Sequence, residues 1–313
     1  MASISFALVC LSIAIIESMA GILGNGIILA TCSLSCIESK TWPPYDMIMI
    51  SLTSSKITLQ CWIILDLFFT IFCDPTYFEE NIFGIIKTVY LVLNYASLWF
   101  GAWLSVFYCI KVASFTQSFF IWLKQRIARL VPWMLLTSWL FSIIAAIPFA
   151  WHVYRVHNNF TAPSPTETNS TAMRTTRRDS LGVLILLSNA GICLPLILSV
   201  VSSILLIRSL WIHTRRMQNN ASGFRDPSLE AHISAIKSVC SLLIFYVTYF
   251  IVFTLLLYIF FLRFSIEKSL CTAVMAACPT GHTLVLIWSN PKFRELPARI
   301  LHHINFPIRT MSL

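Results

Sequence analysis

Residues 5–32 read SFALVCLSIAIIESMAGILGNGIILATC, an apolar run in which Glu17 is the only charge. Crossing a hydrocarbon core roughly 30 Å thick takes about 20 helical residues, so this stretch is long enough to span a bilayer. Six more runs of the same kind follow at 47–72, 82–110, 130–151, 180–207, 233–261 and 269–288. Backbone N–H and C=O groups in lipid must be paired within one segment or closed into a barrel. The alternating pattern of a barrel strand is absent. The expected fold is an all-α membrane protein, a seven-transmembrane helix bundle forming a single domain over residues 1–313.

Composition points the same way. Of the residues, 57% are hydrophobic and 11% charged, against a soluble norm of roughly 45–50% apolar and 25% charged. The 23 Phe and 10 Trp suit lipid-facing surfaces and interface belts. The first run outlasts a signal-peptide core of roughly 7–15 residues and has no positive residue ahead of it, so it is expected to stay as the first helix.

Orientation follows from Lys and Arg. Of the 22, fourteen fall in segments that are cytoplasmic if the amino terminus lies outside; seven fall in outer segments, and Lys56 lies in the second span. The positive-inside rule thus places the amino terminus outside and the carboxyl terminus inside. Arg174, Arg177 and Arg178 run against that bias. They belong to a Thr-, Ser- and Asn-rich stretch, 152–179, that reads as a solvated outer loop. In it, Asn159 and Asn169 head N-x-[ST] sequons and are the expected glycosylation positions, whereas Asn220 heads one on the cytoplasmic side and is expected to stay bare.

The net charge of +9 sits mostly where an anionic inner leaflet attracts it, so membrane lipids, and no nucleic acid, are the expected partners. Ten cysteines are scattered singly without a CxxC pair, so neither a metal nor a cofactor is expected. More than five residues from a span end, only Glu17, Lys56 and Asp66 are charged. Glu17 and Asp66 sit on different helices with no spacing that joins them, so no catalytic acid–base pair is visible and the chain is not read as an enzyme. A retinal Schiff base needs a lysine in the last span, where none occurs between Lys268 and Lys292. A seven-span transporter or channel is the alternative, although it usually carries more intramembrane charge or broken helices.

Asn25 and Lys56 are costly in a span unless paired. A hydrogen bond between the two, or from them to the seventh helix, is expected. After the last span, Phe293, Leu296 and Ile300 interleave with Lys292, Arg294 and Arg299 as in an interfacial amphipathic helix, which Pro297 would keep short.

Three motifs then narrow the class. The third span ends on Leu104, Phe107, Tyr108, Lys111, Ala113, Phe115 and Thr116, followed by Phe120, Leu123, Lys124, Arg126 and Ile127. This resembles the LxxFYxxKIAxFS and FLxLKxRI pattern of the bitter taste receptor family. His232, Ala235, Ile236, Lys237, Ser241, Leu243 and Tyr246 resemble the family's HxxALKxxxSFLxxY. Pro279, Thr280, His282, Thr283, Leu286, Ile287 and Asn290 are similar to its PSxHSxxLIxxN. The DRY sequence of rhodopsin-like receptors is missing after the third span. Where the family usually has Arg in an LAxSR segment, this chain has Lys56, which keeps the charge but loses the planar fork.

The resemblance implies a multi-pass receptor of the plasma membrane for bitter small-molecule agonists. It implies coupling to a heterotrimeric, gustducin-like G protein, with phospholipase C and calcium release downstream. The coupling surface would hold Tyr108, Lys111, His232 and Lys237, with Lys124, Arg126, Lys292 and Arg294 around it; the plain alternative for the basic loop residues is topology and lipid contact. Tyr90 and Asn94 match positions where many relatives carry a ligand-contacting Trp and Asn. Thr272 stands where some relatives have an acidic contact, which implies less dependence on cationic agonists. For Tyr90 and Asn94 the alternative is packing and hydrogen bonding between helices.

Overall fold

In the computed structural model, residues 2–72, 82–112, 118–161, 170–218, 227–258, 266–290 and 292–293 are described. They form seven α-helices: α1 (Ala2–Ser39), α2 (Pro44–Phe72), α3 (Ile82–Val112), α4 (Ser118–Thr161), α5 (Ser170–Gln218), α6 (Pro227–Tyr258) and α7 (Ile266–Ser289). All seven contain a stretch long and apolar enough to cross a membrane. Between α1 and α2, Lys40 takes a left-handed conformation (φ 51°) and Pro44 opens α2, where a missing N–H costs nothing.

The helices outrun the spans read from hydropathy. A helix pairs its own backbone groups in water as well as in lipid, while hydropathy marks only the lipid part. The largest correction is the solvated loop expected over 152–179. α4 continues to Thr161 and α5 begins at Ser170, so most of that segment is helical. α4 also starts at Ser118, twelve residues before the expected 130.

α1 packs against α2 and α7, α7 against α6, and α3 against α2, α4, α5 and α6. α3 is accordingly the most buried span. Apolar side chains on the rim, such as Trp133, Ile144, Ile244 and Ile251, are exposed on the outside of the bundle. Between helices, small polar residues replace bulk. Ser138, Ser142, Ser199 and Ser203 are buried; the Ser142 hydroxyl donates to the Ser138 carbonyl at 2.7 Å and the Ser138 hydroxyl to the Met134 carbonyl at 2.7 Å. Such residues let backbones approach without leaving a polar group unpaired in lipid. Two apolar clusters fill the bundle toward its two ends. One is built around Ile48, Leu52, Phe100, Leu104, Phe107 and Phe293, the other around Leu91, Tyr95, Phe149, Ile192, Tyr249 and Phe253.

Candidate ligand cavity and coupling surface

At the end of the bundle that carries the α2–α3, α4–α5 and α6–α7 connections, the helices part around a cavity of about 780 Å³, a figure that includes its open mouth. Helical spacing explains the lining. Ile63 and Asp66 on α2, Lys87, Tyr90 and Leu91 on α3, Phe253 and Leu256 on α6, and Lys268, Thr272 and Met275 on α7 recur at three- and four-residue steps, each set on one helix face. Phe149 of α4 closes the side.

Its polar groups are held in place. The Lys87 ammonium donates to both Asp66 carboxylate oxygens, at 2.7 and 2.6 Å, with both side chains about one-fifth exposed. The hydroxyls of Tyr90 and Tyr249 share a hydrogen bond of 2.8 Å, and the Thr272 hydroxyl donates to the Lys268 carbonyl at 2.9 Å. Tyr90 and Thr272 therefore lie together on the cavity wall. Asn94, one turn along α3, is buried and is not part of the lining, and its Nδ2 has no hydrogen-bond partner. Sequence reading missed Asp66, Lys87 and Lys268 as cavity residues. The available clue was Asp66 itself, an intramembrane carboxylate that needs a cation nearby.

Halfway through the bundle, α1, α2 and α7 are joined by a buried polar layer. Lys56 Nζ lies 2.6 Å from His282 Nδ1, which accepts the bond when the proton is on Nε2. Gln60 Nε2 donates to Thr280 Oγ1 at 2.7 Å, and Thr280 Oγ1 donates to the Glu17 carbonyl at 3.0 Å. Thr283 Oγ1 donates to Asn25 Oδ1 at 3.0 Å. Asn25 and Lys56 thus each bond to the seventh helix and not to each other. Gly21 is pressed against Gln60 and Thr280, with no room for a side chain.

At the far end, Tyr108 is partly buried beside Phe107, and its hydroxyl reaches that of Tyr45 at 3.4 Å. Asn290 Nδ2 donates to the same Tyr45 hydroxyl at 3.2 Å, and Lys292 pairs with the buried Asp46 at 2.9 Å. Three aromatic rings meet there, with Tyr45 6.1 Å from Phe107 and 6.0 Å from Tyr108 between centroids. Lys111 and Lys237 are exposed, their ammonium groups 5.7 Å above Phe107 and 5.6 Å above Trp288. Arg126 covers Trp122 at 5.3 Å. His232 lies in the first turns of α6, but its side chain is outside the described residues, as are Arg294 and the rest of the tail. Phe293 is fully buried in the apolar cluster at this end; Leu296 and Ile300, the other apolar positions of the expected interfacial helix, lie outside the described residues. Asn159 is in the last turn of α4, with its side chain undescribed; Asn169 and Asn220 fall outside the described residues. Among the described residues no group of three His, Cys, Asp or Glu side chains is placed to hold a metal ion.

Comparison with known proteins places this geometry. The profile of the family described as "Taste receptor protein (TAS2R)" matches residues 1–305. The chain is 58% identical to taste receptor type 2 member 40 of Gallus gallus, over 97% of each sequence. It is 34% identical to taste receptor type 2 member 39 of Papio hamadryas, over 94% of this chain and 87% of the relative. Among solved structures, squid rhodopsin superimposes with a TM-score of 0.59 at 16% identity, covering 95% of this chain and 87% of rhodopsin. That likeness is one of fold.

Proposed function

Because the chain belongs to the TAS2R taste receptor family, we propose that it is a G-protein-coupled receptor of the plasma membrane that detects bitter small molecules. Its signal passes through a gustducin-type heterotrimeric G protein to phospholipase C and calcium release. The family match over residues 1–305 carries the reading.

The geometry suggests a division of labour. A receptor without enzyme chemistry works by shifting a population between helix arrangements, and its ligand must bind one of them more tightly. The cavity touches α2, α3, α4, α6 and α7 at once, so its occupant senses their relative positions. Apolar walls with a few fixed polar groups are what a small-molecule site requires. Tyr90 and Thr272 contact the agonist, and Asn94 offers its unpaired amide when the wall moves. At the opposite, cytoplasmic end, Tyr108, Lys111, His232 and Lys237 meet the G protein. The amino terminus is outside, with glycans on Asn159 and Asn169.

The test is calcium recording in cells that express the receptor with a promiscuous G protein, against a panel of bitter compounds. At least one compound evokes a saturable response that vector-transfected cells lack. Silence to the whole panel, with surface expression confirmed, would remove the reading.

A further inference from the structure

The first turns of α4, expected from the sequence to be a loop, carry an ordered stripe of side chains. Trp122, Arg126, Arg129 and Trp133 follow one another at steps of four, three and four residues, so they share one helix face, and all four are exposed. Lys124 is exposed close by. No Asp or Glu occurs between Glu80 and Glu167, so α4 has no carboxylate of its own. Among the described residues none of these three cations forms an ion pair. The Arg126 guanidinium lies over the Trp122 ring, 5.3 Å from its centroid, a contact that engages the charge without taking up the N–H donors. Farther along the same face the stripe turns apolar, since Leu136 and Leu140, three and seven residues past Trp133, are exposed as well. Cations, an aromatic ring and then hydrocarbon follow in the order of a phospholipid's head and tail.

We propose that this stripe binds a membrane phospholipid whose headgroup bears phosphate monoesters, a phosphoinositide. Arg126 and Arg129 stand about 4.5 Å apart along the helix axis, so one headgroup can take both forks, and guanidinium groups bind phosphate oxygens in pairs. Lys124 supplies a third charge. A phosphate monoester carries roughly −1.5 to −2 at neutral pH, so a headgroup with two of them matches the three cations. Phosphatidylserine, with a single net negative charge, leaves most of them unmatched. The acyl chain lies against Trp133, Leu136 and Leu140, which a soluble phosphate compound cannot use. The leaflet is the cytoplasmic one in the orientation proposed above, where anionic lipid is concentrated.

The experiment uses the purified full-length chain in mixed detergent and phosphatidylcholine micelles, with bound lipids counted by native mass spectrometry. The probes are phosphatidylinositol bisphosphate, phosphatidylserine and the free headgroup, inositol trisphosphate. The expected result is that the bisphosphate lipid binds at least about tenfold more tightly than phosphatidylserine, the factor that one hydrogen bond to a charged group supplies. Arg126→Gln with Arg129→Gln erases that preference, whereas Arg208→Gln, an exposed cation on α5, leaves it intact. Trp133→Ala weakens the lipid and not the free headgroup. The ratio between probes is the readout, so a general loss of stability does not imitate the effect. The inference is overturned if the two lipids bind alike, if the paired Arg substitutions keep the preference, or if Arg208→Gln removes it equally. It is also overturned if the free headgroup binds as tightly as the lipid. If the paired substitutions leave lipid binding unchanged but separate a receptor dimer or weaken G-protein binding, the stripe serves a protein instead. Micelles expose both ends of the bundle, so these results are distinct from failure of the orientation, which glycan mapping reads, and of the receptor reading, which shows as silence to the bitter panel.

Discussion

Lys56 and His282 are both almost fully buried and lie 2.6 Å apart, far from bulk water. Removing one partner strands the other in an apolar interior, a loss of roughly 1–3 kcal/mol for a buried group left without its hydrogen bond and more if it is charged, whereas replacing both by apolar residues of similar shape can be nearly neutral. His282→Leu should therefore lower the melting temperature of the solubilised receptor markedly, and Lys56→Met with His282→Leu should restore most of it. Equal losses in the single and double variants would show that the contact does not hold α2 to α7. Gly191 is a second sensitive point. A Cβ there would lie 2.5 Å from the ring of Tyr95, which is fully buried and anchored by its hydroxyl to the Ser188 carbonyl at 2.6 Å. Gly191→Ala should destabilise the α3–α5 contact by about 1–3 kcal/mol, the usual range for overpacking, read as reduced surface level and thermal stability. At this scale the sequence revealed that Asn25 and Lys56 need partners, because polar groups in spans are costly. It did not reveal that Asp66 meets Lys87, since that depends on the relative height and rotation of two helices.

α3 connects the two ends of the bundle. It bears Lys87, Tyr90 and Leu91 at the cavity and Tyr108 and Lys111 at the other end. If the cavity is the agonist site, Tyr90→Ala, which deletes both wall area and the bond to Tyr249, should right-shift an agonist response at least tenfold, about the 1.4 kcal/mol that such a factor represents. Asn94→Ala should also right-shift it, while Ser105→Ala, buried nearer the opposite end, should leave the midpoint unchanged. Equal effects in all three would move the pocket elsewhere. The seven helices were legible because their centres are so apolar; their ends were not. Lys124, Arg126 and Arg129 read as a loop, yet α4 already runs through them from Ser118, and Arg174, Arg177 and Arg178 lie within α5. Charge marks the edge of the lipid, not the end of a helix.

For the whole molecule, the orientation in the membrane joins the proposals together. Asn159 closes α4 at the same end as the cavity, so a glycan at Asn159 or Asn169 would place the cavity mouth outside the cell. Glycosidase mapping of Asn159→Gln, Asn169→Gln and Asn220→Gln should show sugar lost in one or both of the first two and no change in the third. A glycan on Asn220 would invert the topology. The central claim is that agonist in the cavity activates a G protein at the opposite end, and it is tested most directly by nucleotide exchange on a purified heterotrimeric G protein catalysed by the receptor in nanodiscs. The account predicts exchange that rises with agonist, needs more agonist after Tyr90→Ala, and falls in amplitude after Lys111→Ala while agonist occupancy is preserved. Exchange that stays at its unliganded rate when a folded receptor is saturated with agonist would contradict it.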